Sequence, residues 1–247
     1  MSKRPKECLE NDLYKEEEKV LEEFEKKIKN NSGAIFVKDG AICPKTFLNE
    51  KIKILFILKE VNGGEEDWDL RNFAYYNCKD RKYAWDNIYR WTRVISESDS
   101  ISWEKVSNVK KEHCREKTLR KISVMNMKKI PGGSSSKNKE LTKATLEHKA
   151  DLQKQIELYD ADYIILGNTY FLLEKLDYLT EEERKYKNKY YLTKKSKACK
   201  YFVKKLPHKK QIIINFYHPS AQRLKPEKLF DLFLEIIKNI KKLENIK

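Results

Sequence analysis

Four short apolar runs, rich in isoleucine, recur along this chain: IKILFIL at 52–58, ISVMN at 122–126, YIILG at 163–167 and QIIIN at 211–215. Each suits a strand buried on both faces. Helical patterns separate them. The stretch ENDLYKEEEKVLEEFEKKIK sets Leu13, Val20, Leu21, Phe24 and Ile28 at helical spacing among i,i+4 charge pairs, which predicts an amphipathic helix over about 10–29. A second helix is expected over about 139–159, with Leu141, Thr145, His148, Leu152 and Ile156 on one stripe. The last starts at Pro226, a residue suited to a first helical turn, and carries Leu229, Phe233, Ile236, Ile237 and Ile240. Buried strands alternating with helices predict an α/β fold, a three-layer α/β/α sandwich with a central, mainly parallel four-stranded sheet. No internal repeat or domain boundary is evident, so residues 1–247 read as a single domain.

A parallel sheet of this kind binds its ligand at the carboxyl ends of its strands. The residues following the four runs are therefore expected to converge: Lys59-Glu60-Val61-Asn62-Gly63-Gly64, Asn126-Met127, Gly167-Asn168 and Tyr217-His218-Pro219-Ser220. An acid, an amide and an imidazole at one edge make a catalytic constellation. His218 is one of only four histidines, and it is spent directly after a buried strand.

The formal charge of +15 favours a polyanionic partner. A lysine-rich genome would also raise the lysine count, but it would scatter the lysines. Residues 184–210 instead hold twelve Lys or Arg and no acid, interleaved with Tyr186, Tyr190, Tyr191, Tyr201 and Phe202. Such a basic aromatic insertion suits a surface that tracks phosphates and stacks bases. A solvated hairpin with its aromatics packed inward is the compatible alternative. The five cysteines, Cys8, Cys43, Cys78, Cys114 and Cys199, form no CxxC pair, so free thiols are expected rather than a zinc or iron–sulfur site. The N-terminus has no apolar signal core and no run of about 18 apolar residues occurs, so a cytoplasmic protein without a membrane span is expected. Neither a GxxxxGK[ST] phosphate loop nor a GxSxG elbow is present.

Taken in order, FILKEVNGG, SVMNM and FYHPSAQ resemble the motifs of the uracil-DNA glycosylase superfamily. In that family one strand ends in a water-activating motif such as GQDPY or GEAPG, a later one in a base-reading asparagine, and a final one in HPSP. The matching stretches span residues 54–224. The resemblance implies that Glu60 takes the place of the catalytic carboxylate, positioning a water and stabilising positive charge on the sugar. Asn126 would read a pyrimidine edge through its amide. His218 would donate to the base carbonyl as the glycosidic bond breaks. Phe73 is the candidate for stacking on the extruded base, with a core phenylalanine as the alternative. Ser134 and Ser135 of GGSSSK, together with Ser220, would approach a phosphate, although GGSSSK also suits a flexible linker. Gln222, Arg223 and Leu224 occupy the loop that in the family fills the gap left by the flipped nucleotide.

One departure bears on the substrate. The family's Pro-Tyr after the carboxylate is Val61-Asn62 here, and that tyrosine normally crowds the 5-position of the base. Asn62 would leave the position open. The implied activity is that of a DNA N-glycosylase, excising uracil or, in keeping with an open pocket, a 5-modified pyrimidine such as a hypermodified phage cytosine. The setting would be base-excision repair or antiphage defence. DNA is the expected partner, a monomer the expected state, and no metal, iron–sulfur cluster or other cofactor is expected. A catalytically inactive nucleic-acid-binding module of the same fold is the alternative reading.

Overall fold

The computed structural model describes residues 4–64, 68–76, 82–109, 114–133, 135–185, 188–190, 199–221 and 224–245. The chain opens with α1 (Lys6–Leu9) and α2 (Asp12–Ser32), then β1 (Val37–Lys38), β2 (Gly40–Ala41), α3 (Pro44–Asn49) and β3 (Ile54–Leu58). Next come β4 (Trp68–Asp69), α4 (Leu70–Tyr76), α5 (Lys82–Glu97), α6 (Trp103–Ser107), α7 (Cys114–Leu119) and β5 (Ser123–Asn126). There follow α8 (Asn138–Glu147), α9 (Lys149–Leu158), β6 (Tyr163–Gly167), α10 (Tyr170–Leu173) and a 3-10 turn, and the chain closes with β7 (Asn188–Tyr190), β8 (Cys199–Lys205), β9 (Lys210–Phe216) and α11 (Pro226–Glu244).

Among the described residues the main sheet has seven strands rather than four, in the order β2-β5-β3-β6-β9-β8-β7. The four predicted runs are its consecutive parallel centre, β5, β3, β6 and β9. Three further strands extend it antiparallel, β2 on one side and β8 with β7 on the other. β8 was hidden in the basic segment. Its Tyr201 and Phe202, and Tyr190 of β7, are buried, so these aromatics pack inward. Tyr186 and Tyr191 lie outside the described residues.

Period-two alternation sends the two faces of the strands into two separate cores. On one side Ile54, Phe56, Val124, Ile165, Ile212 and Ile214 pack with Ile88 and Trp91 of α5 and with Phe233 and Ile237 of α11. On the other, Leu55, Ile57, Met125, Ile164, Leu166 and Ile213 pack with Leu21, Phe24 and Ile28 of α2 and with Leu152 and Ile156 of α9. Helices thus cover both faces, an arrangement compatible with the three-layer sandwich expected. Truncating a residue such as Phe56, buried between two strands, costs about 3–5 kcal/mol.

Helix ends follow local chemistry. Asn11 caps α2 by accepting from the Tyr14 N–H at 2.9 Å, and Gly33, at φ 61°, ends it with its N–H on the Lys29 carbonyl. The helix predicted over 139–159 instead breaks at His148 into α8 and α9. At His148 the backbone leaves helical geometry, at φ −115° and ψ 28°, and the ring turns inward to lie 4.9 Å from that of Phe24.

The apolar stripe of α2 carries one exception. Glu17 lies between Leu13 and Leu21 and is fully buried, where it anchors a charge network. Its carboxylate accepts from the Ala41 N–H, the Tyr159 hydroxyl and Arg71. Arg71 also binds Asp69 and Glu18, Lys38 binds Glu18, and Arg4 reaches Asp69. Lys129, also fully buried, pairs with Asp39 at 2.6 Å. Burial works against the charge on Arg71, but Glu17, Asp69 and Glu18 outweigh it and raise its pKa well above the ordinary value. Four basic and four acidic side chains balance, which is what makes their burial tolerable. Gly40 completes the site: at φ +141° it carries no Cβ, and one there would overlap the Glu17 carboxylate and the Tyr159 hydroxyl.

The expectation of free thiols is corrected for one pair. The sulfurs of Cys8 and Cys43 are bonded, joining α1 to the start of α3 across Cα atoms 5.3 Å apart. Cys114 and Cys199 are free, and burial pushes the Cys199 thiol up to about 12. Cys78 lies outside the described residues. Among the described residues, no helix is long and apolar enough to cross a membrane.

Candidate functional site

Strand order locates the site. From β3 the chain steps outward to β5 and then back across β3 to β6. The switch point lies between β3 and β6, and ligands of open α/β sheets bind outside the carboxyl ends there. The residues on that edge are Leu58 to Asn62 after β3, Asn126 to Gly132 after β5, Gly167 at the end of β6, and His218 to Ser220 after β9.

Beyond Leu58 the β3 and β5 chains stay hydrogen-bonded as a ribbon. Met127 N–H donates to the Leu58 carbonyl, Lys128 N–H to Lys59, Gly132 N–H to Val61 and Gly63 N–H to Gly132. The ladder ends with Leu58 opposite Asn126, and the two chains then bend at Lys59 and Met127, which brings Glu60 and Lys128 together. Their side chains meet with Lys128 Nζ 2.6 Å from Glu60 Oε2, and only 12 % and 5 % of them is exposed. A Cβ on Gly132 would overlap the Glu60 carboxylate. The first glycine of GGSSSK therefore serves the close approach of that acid.

Asn126 is buried and its amide is already engaged. Its Nδ2 and its backbone N–H both donate to Asp39 Oδ2, at 3.2 and 2.7 Å. Asp39 also accepts from Lys129 at 2.6 Å and from Gln155 Nε2 at 2.9 Å. The base-reading candidate is thus tied into the buried charge network, which fixes the orientation of its carboxamide.

His218 sits over a notch. A Cβ on Gly167 would lie 2.7 Å from Leu58 Cδ2, 3.2 Å from Pro219 Cδ and 3.5 Å from His218 Cδ2, so the missing side chain lets these three residues close over the end of β6. The Ser220 N–H donates to His218 Nδ1 at 3.2 Å, and the Ser220 hydroxyl lies 2.7 Å from the same atom. With Nδ1 accepting, the ring proton is on Nε2, which is left as a donor. Burial, with Lys59 adding a like charge, pushes the His218 pKa down from 6.5 to about 4, so the ring is neutral at pH 7. The loop is clamped from α5, where buried Asn87 donates its amide to the Pro219 carbonyl at 2.8 Å and accepts from Arg90 at 3.2 Å.

The remaining candidates are placed unevenly. Phe73 is half-buried, with its ring 6.0 Å from Trp68 and 6.4 Å from Trp85. Asn62 and Ser135 are exposed. Ser220 is exposed too, but its N–H and hydroxyl both face His218. Leu224 packs half-buried against the core, and its carbonyl accepts from the Tyr83 hydroxyl. Ser134, Gln222 and Arg223 lie outside the described residues. Sequence reading missed three residues: Lys128, Asp39 and Asn87. Only Lys128 left a signal, since it lies two residues after Asn126 at the carboxyl end of a predicted strand. Among the described residues, no group of three or more His, Cys, Asp or Glu could hold a metal ion.

No protein-family model matches this chain, and no curated protein matches it.

Proposed function

We propose that this protein is a DNA glycosylase that flips out a pyrimidine and hydrolyses its N-glycosidic bond, leaving an abasic site. The reading includes the three-layer α/β/α sandwich whose parallel centre is β5-β3-β6-β9. The observation that carries it is His218: a neutral imidazole at the switch-point edge, with Nδ1 occupied and Nε2–H available as a donor. A neutral donor suits a leaving base, because negative charge grows on the base carbonyl as the bond breaks. Basic surface would hold the backbone, Asn126 and His218 would bind the base, and the Gln222-Arg223-Leu224 loop would fill the gap. Glu60 orients the water and takes its proton as the water oxygen bonds to the sugar C1′. The C1′–N bond electrons leave with the base. With Asn62 in place of a bulky aromatic, a 5-modified pyrimidine fits the reading better than uracil alone.

The second reading, a binding module without catalysis, draws on two contacts. The Glu60 carboxylate is held by Lys128, and the Asn126 amide by Asp39. One experiment separates the readings. Single- and double-stranded oligonucleotides bearing uracil, 5-hydroxymethylcytosine or glucosylated cytosine are incubated with protein and then cleaved with alkali. Strand breaks that disappear in Glu60→Gln and His218→Ala support the glycosylase. Salt-sensitive binding with no abasic product on any substrate supports the module.

A further inference from the structure

Lys128 has no place in the hydrolysis just described. A cation 2.6 Å from Glu60 opposes the carboxylate's task, because a carboxylate stabilises positive charge on the sugar and a neighbouring ammonium repels it. The pair is nevertheless built in. The hydrogen-bonded ends of β3 and β5 bring the two residues together, both side chains are nearly buried, and Gly132 leaves room for the carboxylate. At rest the carboxylate holds Lys128 as an ammonium, and among the described residues it is also the one group in hydrogen-bond reach that can take the proton, the adjacent general base a nucleophile needs.

We propose that Lys128 gives this protein a second activity, a lyase that cleaves the DNA strand at an abasic site. The inference rests on the glycosylase reading, which sets Glu60, and with it the Lys128 amine, beside the sugar C1′. In an abasic site the sugar opens to an aldehyde at C1′. Lys128 Nζ gives up a proton through Glu60 and attacks C1′. The resulting carbinolamine loses water, the shed proton leaving with its hydroxyl, and a Schiff base forms. Glu60 then removes a proton from C2′. The electrons of that C–H bond make the C2′–C3′ double bond, and the C3′–O bond breaks with its electron pair leaving on the 3′ phosphate. Water hydrolyses the Schiff base, restoring Lys128 and releasing an unsaturated aldehyde on the cut strand. No oxidant, reductant or metal enters the sequence.

The test uses the full chain and a duplex in which an abasic site has already been made, so it does not depend on which base the protein excises. With borohydride present, the Schiff base is reduced to a stable protein–DNA adduct, visible as a band shift in denaturing gels and mapped by peptide mass spectrometry. The expected result is an adduct at Lys128 and alkali-independent strand cleavage. Both should fall at least tenfold in Lys128→Arg, which keeps a cation against Glu60 but cannot form an imine, and should persist in Lys154→Ala, an exposed lysine of α9 paired with Glu23. Thermal melting of Lys128→Arg near the wild-type temperature establishes that the loss is chemical. No adduct, an adduct spread over many lysines, or one undiminished in Lys128→Arg overturns the proposal. Base release measured on the oligonucleotide panel keeps the two readings apart. Release without an adduct sinks the lyase and leaves the glycosylase, whereas an adduct without release on any substrate does the reverse.

Discussion

His218 makes a prediction that can be worked through in numbers. Its pKa is about 4 in the folded chain against an ordinary 6.5, because burial and Lys59 both disfavour the charged ring. The unfolded chain therefore takes up a proton at a higher pH than the folded one. The stabilisation from keeping this ring neutral is complete above pH 6.5, declines as the pH falls towards 4, and is gone below that. At about 1.4 kcal/mol per pH unit, the linkage amounts to about 2 kcal/mol lost by pH 5 and about 3 kcal/mol by pH 4. These are upper figures, since one side of the ring meets solvent. Urea unfolding of wild type and His218→Gln at pH 7, 6, 5 and 4 isolates the term, because every other acid and base is common to both. The gap between the two proteins should narrow by about 2 kcal/mol between pH 7 and 5. An NMR titration of the ring should show no protonation near pH 6.5. A constant gap, or a ring that titrates near 6.5, would refute the neutral-donor argument.

Other perturbations read other parts of the structure. Gly132→Ala should push the Glu60 carboxylate out of its seat and lower base release about a hundredfold with little change in melting temperature, as expected when a reacting group is misplaced. Asn87→Leu strands the Pro219 carbonyl and should cost about 1–3 kcal/mol in urea unfolding. It should also broaden the His218 ring signals, whereas a ring spectrum identical to wild type would show that the loop holds itself. Arg71→Met leaves Glu17 without its buried counter-ion and should destabilise by about 3–5 kcal/mol, while adding Glu17→Gln should recover much of the loss.

The parallel centre was legible because its residues need no partner to be recognised. A run such as YIILG, buried on both faces, looks the same whatever packs against it. The outer strands were not legible for the opposite reason. β2 is Gly40–Ala41, too short for any pattern, and in β8 the lysines that punctuate Tyr201, Phe202 and Val203 hid an alternation that has buried aromatics on both faces. The strand-end residues were found by position, but their partners came from elsewhere in the chain. Asp39, 87 residues before Asn126, decides where that amide points, and Asn87, 132 residues before Pro219, holds the histidine loop. Glu17 shows the same limit on a helix, where a buried acid among leucines is explained only by Arg71, 54 residues later.

The outer strands also bear on how this protein behaves at high concentration. A sheet that ended on one of its long isoleucine-rich strands would present a row of open N–H and C=O groups on which another chain could grow. Here, among the described residues, the sheet tapers at both sides, to two residues in β2 and three in β7. Ends that short template poorly. The sticky centre is thus fenced off, so copies crowded together at high concentration would be kept from zipping into fibrils.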